Sequence, residues 1–205
     1  MRSLSVGVLV SGSGSNLQAI LDTAQGDFPA RVSLVISNIP GVKAIERAEQ
    51  AGVRAEVMSH KGYATREAFE QAMANTLEAA GVELVVTAGF MRLLTTVFLQ
   101  RFPARVINLH PSLLPAFPGT HAIEQALNYG ARVTGCTVHF VDAGMDTGPI
   151  ILQSVVPIEQ NDTAETLHQR VQVQEHKLLP EAIRLFALQK LKLEGRRVHI
   201  EEPTG

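Results

Sequence analysis

The run Asn108-Leu109-His110-Pro111-Ser112-Leu113 holds the densest group of residues able to do chemistry. It follows the strand-like Arg105-Val106-Ile107 and leads into a proline-bounded loop from Pro111 to Pro118. Residues i and i+2 of a strand point to the same face, so Asn108 and His110 can address one substrate atom together. In an open parallel sheet, ligands bind beyond the carboxyl ends of the strands. An amide N–H beside a chargeable imidazole suits stabilisation of a developing oxyanion, and a carboxylate can hold the imidazole and take a proton by way of water. Asp146, in Gly144-Met145-Asp146-Thr147-Gly148, is the best acidic candidate. The set suits attack of an amine on a carbonyl carbon, where O⁻ and N⁺ arise together and a proton must pass between them. The competing reading is a strand-end histidine bonded to a nearby carbonyl.

Other chemistries fit less well. The seven histidines show no H-x-x-x-H or H-E-x-x-H spacing, and the acidic pattern of a calcium loop is missing around Asp146, so no metal is expected. A serine nucleophile lacks its G-x-S-x-G elbow, and Cys136 reads as a small core residue in mid-strand. A second candidate is Ser11-Gly12-Ser13-Gly14-Ser15-Asn16, between a strand and a helix. Small residues there let backbone N–H groups approach an anion, and Ser15 with Gln18 forms a capping-box pattern. There is no Gly-Lys-Ser/Thr, Leu17 replaces the third glycine of a dinucleotide fingerprint, and Ile36-Ser37-Asn38 offers no acid for a ribose diol. A phosphomonoester fits better than a nicotinamide dinucleotide, with a merely tight turn as the alternative.

The elements that must carry these residues alternate. Strands are expected at 4–10, 31–37, 54–58, 83–88 and 105–109, with helices at 15–24, 42–51, 65–80 and 95–101. The third helix is clearest, because Phe69, Ala72, Met73, Thr76, Leu77 and Ala80 form a stripe that Gly81 ends. Such alternation gives right-handed parallel crossovers, hence an α/β fold: a Rossmann-like open twisted sheet with helices on both faces. After residue 120 a helix at 122–129 leads to strands at 132–141 and 149–158, joined too closely for a crossover helix and therefore antiparallel. A long helix starts at Thr163, with Asp162 as its expected cap and Glu165 in support. Pro180 should kink it or begin another. The tail 191–200 is either an edge strand or loose. Nothing marks a second domain, so residues 1–205 read as one, with halves meeting near 109 and 110.

The bulk properties are those expected of a soluble globular chain. The chain has 205 residues, 45% hydrophobic and 19% charged, with a net charge of -2, so no broad basic field invites nucleic acid. No apolar run reaches the roughly 18 residues of a membrane span, and the N-terminal Met1-Arg2-Ser3-Leu4-Ser5 reads as the start of a first strand, not a signal peptide. A lone cysteine permits no intrachain disulfide, and a cytoplasmic location is the simplest expectation.

At this point the chain resembles the phosphoribosylglycinamide formyltransferase family of folate-dependent formyltransferases. The resemblance is carried by 11–17 (Ser-Gly-Ser-Gly-Ser-Asn-Leu), 88–94 (Ala-Gly-Phe-Met-Arg-Leu-Leu), 108–115 (Asn-Leu-His-Pro-Ser-Leu-Leu-Pro), Val138-His139-Phe140-Val141, Asp146-Thr147-Gly148-Pro149-Ile150 and Val173-Gln174-Glu175-His176. It implies formyl transfer from 10-formyltetrahydrofolate, a co-substrate, to the amine of glycinamide ribonucleotide in purine synthesis. Asn108, His110 and Asp146 would be the catalytic trio. Gly14, Ser15 and Asn16 would meet the ribonucleotide phosphate and Glu175 its ribose. Arg66, Met91, Arg92, Leu93, Leu94 and Val141, with Asn108 and Asp146, would line the folate site. Thr137 and His139 would support the loop and His110 from behind. On pattern alone, 90–94 is core plus a solvated arginine, Glu175 is a helix-surface acid, His121 starts a helix, and Arg101, Arg105, Arg196 and Arg197 are solvated. The implied partners are small molecules, with no nucleic acid, membrane, metal or nicotinamide, and the protein is expected as a monomer or homodimer. Formyltetrahydrofolate hydrolase is the nearest alternative, though its regulatory domain is not expected before a strand that begins at residue 4. Methionyl-tRNA formyltransferase would need a tRNA-binding domain and basic surface, and a plain sugar-phosphate binding module would leave the trio idle.

Overall fold

A computed structural model describes residues 3–201 of the chain. Met1 and Arg2, part of the run read above against a signal peptide, lie outside the described residues, as do 202–205. The chain divides into two compact units, 1–108 and 109–205.

The first unit alternates β1 (Leu4–Val10), α1 (Ser15–Thr23), β2 (Ala30–Ser37), α2 (Lys43–Gln50), β3 (Ala55–Val57), α3 (Arg66–Ala79), β4 (Leu84–Thr87), α4 (Thr96–Leu99) and the start of β5 (Val106–His110). The strands run parallel in the order β3-β2-β1-β4-β5. Their sequences are runs of Val, Ile and Leu because both faces are covered: Val6, Val8, Leu9 and Val10 of β1 are all at most 1% exposed. Phe69, Met73 and Leu77 bury the stripe of α3, which is capped by Thr65 accepting from the Ala68 N–H at 3.1 Å. The order turns back beside β1, with β2 on one side and β4 on the other. Beyond the carboxyl ends of β1 and β4 is therefore the switch point where this architecture offers a ligand crevice.

The second unit contains α5 (Ala122–Tyr129), β6 (Val133–Phe140), β7 (Ile150–Pro157), α6 (Ala164–Ala187), β8 (Leu191–Glu194) and β9 (Arg197–Ile200). β6 and β7 pair antiparallel, as their short connection requires. Among the described residues no helix is long and apolar enough to cross a membrane.

Four local expectations need correction. α1 begins at Ser15 behind a left-handed Gly14 with no side-chain cap, so the Ser15/Gln18 capping box does not form. Gln18 instead donates to Asp22 at 2.8 Å. α6 is capped by Thr163, not Asp162, in a reciprocal box with Thr166; Asp162 accepts from the Glu159 N–H at 2.7 Å and from Arg170. α6 also continues through Pro180. An interior proline costs about 3 kcal/mol, but Leu179, Pro180, Ala182 and Ile183 are all buried, and packing of that stripe outweighs local propensity. The tail forms a separate hairpin of β8 and β9. Gly195 (φ 59°) supplies the left-handed residue that its two-residue turn needs.

Candidate functional site

In the second unit, three titratable side chains converge. His110 is 5% exposed, and its Nδ1 lies 3.4 Å from Asp146 Oδ2. Its Nε2 lies 2.8 Å from the Phe117 carbonyl oxygen. A carbonyl can only accept, so Nε2 carries a proton and donates it there. His139 Nε2 lies 3.7 Å from Asp146 Oδ1, and its Nδ1–H donates to the Phe140 carbonyl at 2.8 Å. The Gly119 N–H donates to Asp146 Oδ2 at 2.8 Å.

The loop shape that delivers Asp146 is local. Asp142 Oδ1 accepts from the Gly144 N–H at 3.0 Å and the Thr147 hydroxyl at 2.6 Å. Asp146 itself adopts φ 53°, a conformation more tolerable for Asp than for most residues. The opposing 110–118 loop is fixed by β6 and β7. Thr137 donates to the Ser112 carbonyl at 2.7 Å and accepts from the Leu114 N–H at 3.1 Å, while Gln153 donates to the Leu114 carbonyl at 2.9 Å. Burial alone would push the Asp146 carboxyl up; His139, the Gly119 N–H and the charge of the His110 and His139 rings outweigh it, so the carboxyl sits below its usual range.

In the first unit, Asn108 Oδ1 accepts from the Thr87 hydroxyl at 2.6 Å, on a β4–β5 register that sets Thr87 opposite Asn108. That bond directs the amide NH₂ away from Thr87. The glycine-rich loop leaves β1 at the switch point. Ser11 is its post: its N–H donates to the Gly89 carbonyl at 3.1 Å, its hydroxyl donates to Asn38 at 2.6 Å and accepts from the Met91 N–H at 2.9 Å. Gly14 (φ 70°) could not be another residue, since a Cβ there would stand 2.7 Å from the Ala44 Cα. Ser15 and Asn16 occupy the first positions of α1.

Arg66 does not extend freely from α3. It pairs with Glu70 at 3.2 Å and donates to the Leu93 carbonyl. Glu70 is 2% exposed and accepts from the Thr95 N–H at 3.0 Å and the Thr95 hydroxyl. Arg66 and Glu70 together pin the segment that carries Met91 and Leu93, both exposed, and the buried Leu94. Arg92 lies over the Phe69 ring, 5.8 Å from its centroid. Glu175 is a buried residue of α6, not a surface acid, and Val141 is half-buried just past β6. His121 caps α5 in a left-handed conformation, as a helix-start residue. Arg101 pairs with Glu78, and Arg196 donates to the Thr147 carbonyl at 2.8 Å, so neither is merely solvated.

The structure thus brings His110, His139 and Asp146 together and sets Thr137 behind the 110–118 loop. His139 addresses Asp146, a closer role than the support expected of it. Sequence reasoning missed Glu70, Thr87, Phe117 and Gly119. The Arg66/Glu70 spacing of four on a helix was a readable signal for the first; Gly119 and Phe117 act through backbone atoms, which leave none. Among the described residues, no group of three or more His, Cys, Asp or Glu is arranged to hold a metal ion.

Comparison with known proteins adds relatives. The family described as "Formyl transferase" matches residues 4–183. The phosphoribosylglycinamide formyltransferase of Mycobacterium tuberculosis (strain ATCC 25618 / H37Rv) is 46% identical over 189 residues, covering 92% of this chain and 87% of that protein. The trifunctional purine biosynthetic protein adenosine-3 of Drosophila melanogaster is 48% identical over 90% of this chain, which spans only 14% of that relative's length. The crystal structure of glycinamide ribonucleotide transformylase 1 from Symbiobacterium toebii matches with a TM-score of 0.96 and 53% identity, over 98% of this chain and 95% of that one.

Proposed function

Because the chain belongs to the formyl transferase family, we propose that it transfers the formyl group of 10-formyltetrahydrofolate to the amine of glycinamide ribonucleotide, giving formylglycinamide ribonucleotide and tetrahydrofolate in purine synthesis. The observation that carries this reading is the approach of His110 Nδ1 to Asp146 Oδ2 at 3.4 Å, with Nε2 already committed to Phe117.

Amine attack on the formyl carbon gives a tetrahedral adduct bearing O⁻ and N⁺. The Asn108 amide offers a neutral donor to that oxygen, and His110 offers the proton of Nδ1, the one ring nitrogen not spent on Phe117. Asp146, held ionised by its neighbours, orients the imidazole and accepts the amine's proton by way of water. As the adduct collapses, its O⁻ re-forms the carbonyl, the bond from the formyl carbon to N10 of the folate breaks, and that nitrogen takes up the proton the amine gave away. Gly14, Ser15 and Asn16 bind the phosphate of the ribonucleotide through backbone N–H groups and the start of α1, and Glu175 takes its ribose. Arg66, the 91–94 segment, Val141 and the loop bearing Asp146 receive the folate. We read residues 1–205 as one formyltransferase domain, cytoplasmic, acting on small molecules.

The test is a formyl-transfer assay with glycinamide ribonucleotide present and absent. Folate deformylation that requires the ribonucleotide supports the transferase; equal rates without it would show that water is the acceptor, and no deformylation in either case would reject the reading.

A further inference from the structure

The anion loop does not shape itself. Two consecutive carbonyls of it are captured by α2: the Ala44 N–H donates to the Gly12 carbonyl at 3.2 Å, and Arg47 Nε donates to the Ser13 carbonyl at 2.9 Å. The Arg47 fork is held in turn by Gln18 of α1, whose Oε1 accepts from Nη1 at 3.0 Å. In a planar trans peptide the carbonyl and the following N–H point in opposite directions. Pulling the Gly12 and Ser13 carbonyls onto α2 therefore turns the Ser13 and Gly14 N–H groups away from α2. Successive N–H groups turned one way, with a left-handed Gly14 among them, make the concave donor array that takes an oxyanion.

We infer that Arg47 is the positioning residue of the phosphate subsite: it sets the direction of the Gly14 N–H through the Ser13 carbonyl and so determines how strongly this protein prefers a phosphorylated substrate. The inference rests on the ribonucleotide reading given above. Arg47 does it by geometry more than by charge, because Nε and Nη1 of one rigid fork address two acceptors at once. A lysine ammonium, a point donor on a flexible stem, cannot reproduce that pair.

The experiment compares kcat/KM for glycinamide ribonucleotide and for its dephosphorylated riboside in the wild-type protein, Arg47→Ala, Arg47→Lys and Gln18→Leu. Wild-type protein should favour the ribonucleotide strongly. Arg47→Ala should reduce that ratio by about tenfold, chiefly through KM for the ribonucleotide, the size expected when a charge-assisted hydrogen bond is lost. Arg47→Lys should recover little of it, and Gln18→Leu, which leaves the charge but frees the fork, should lose several-fold. A general structural role would lower both substrates alike and leave the ratio unmoved, which would overturn the inference, as would full rescue by Lys. Should Arg47→Ala fail to fold, an unmoved ratio in both Gln18→Leu and Arg47→Lys overturns it. Absence of any phosphate preference in the wild-type protein would instead remove the ribonucleotide reading beneath it.

Discussion

His110 and Asp146 face each other through Nδ1 and Oδ2 at 3.4 Å, while the Phe117 carbonyl holds the imidazole from its far side and the Gly119 N–H holds the same Oδ2 of the carboxylate. Neither partner can rotate away without breaking a hydrogen bond to the main chain. Such preorganisation is what a developing charge requires, since no reorganisation is left for the moment of reaction. His110→Ala and Asp146→Asn should each lower kcat by about 10²–10³-fold with ribonucleotide affinity largely kept. Asn can still accept the Gly119 N–H, so the second variant tests charge more than loop shape. Single-turnover rates and direct titration of the ribonucleotide check both; near-normal turnover in either variant removes the role assigned to that residue.

His139 bears on the pH dependence. It lies 3.7 Å from Asp146 and is the largest of the influences that pull the carboxyl down against burial. His139→Gln should therefore let the Asp146 pKa rise. Activity that needs the carboxylate then fails at a higher pH, so the acid limb of the kcat/KM profile moves up relative to wild type. An unchanged acid limb, with kcat reduced at all pH values, would mean that His139 acts by packing alone.

Much of this arrangement was legible in residue order. The alternation of apolar strand runs with helical patterns up to β5 announced a parallel sheet, because each crossover helix returns the chain in the same direction, and the short link after β6 announced an antiparallel return. Asn108 and His110 were readable because chemistry-bearing residues alternate with Leu109 at a strand end. Legibility failed where tertiary packing or the main chain decides. Pro180 reads as a break, yet the buried stripe around it carries the helix through. Ser15 reads as a cap, yet the left-handed Gly14 starts α1 one residue earlier. Phe117 and Gly119 contribute a main-chain carbonyl and an N–H, groups that do not depend on the side chain, so no side chain could have announced them.

Asp162 offers a stability test remote from the chemistry. Arg170 beside it, with the Glu159 N–H and the Thr166 hydroxyl, holds its carboxyl well below the usual range. A depressed folded-state pKa stabilises fully above the unfolded value of about 3.9 and loses that contribution as pH falls through the folded one. Asp162→Asn should thus melt at a lower temperature than wild type at neutral pH, and the gap should shrink below about pH 4. Melting curves across pH check this; a gap that persists unchanged in acid would assign the effect to lost hydrogen bonds alone.

Gly14 should tolerate no side chain. Its φ of 70° costs an L-residue roughly 1–2 kcal/mol, and an added Cβ would meet the Ala44 Cβ at 2.6 Å and Cα at 2.7 Å, the second being backbone that cannot swing aside. Gly14→Ala must then push α2 off the loop, which disturbs the two carbonyls that α2 holds. The expected outcome is a lower melting temperature together with a raised KM for the ribonucleotide and a smaller change in KM for the folate. Equal loss toward both substrates would show that the damage spreads beyond the anion loop.

Cys136 should be inert in the folded protein. It is fully buried on β6, and burial, reinforced by the negative charge of Glu175, pushes its thiol up to about 12. The thiolate is the reactive form, so at pH 8 almost none exists and access is blocked as well. An aromatic disulfide reagent should label no thiol in native protein and one after denaturation, since the chain has a single cysteine. Labelling at a rate comparable to a free thiol would mean that β6, which also carries His139, opens.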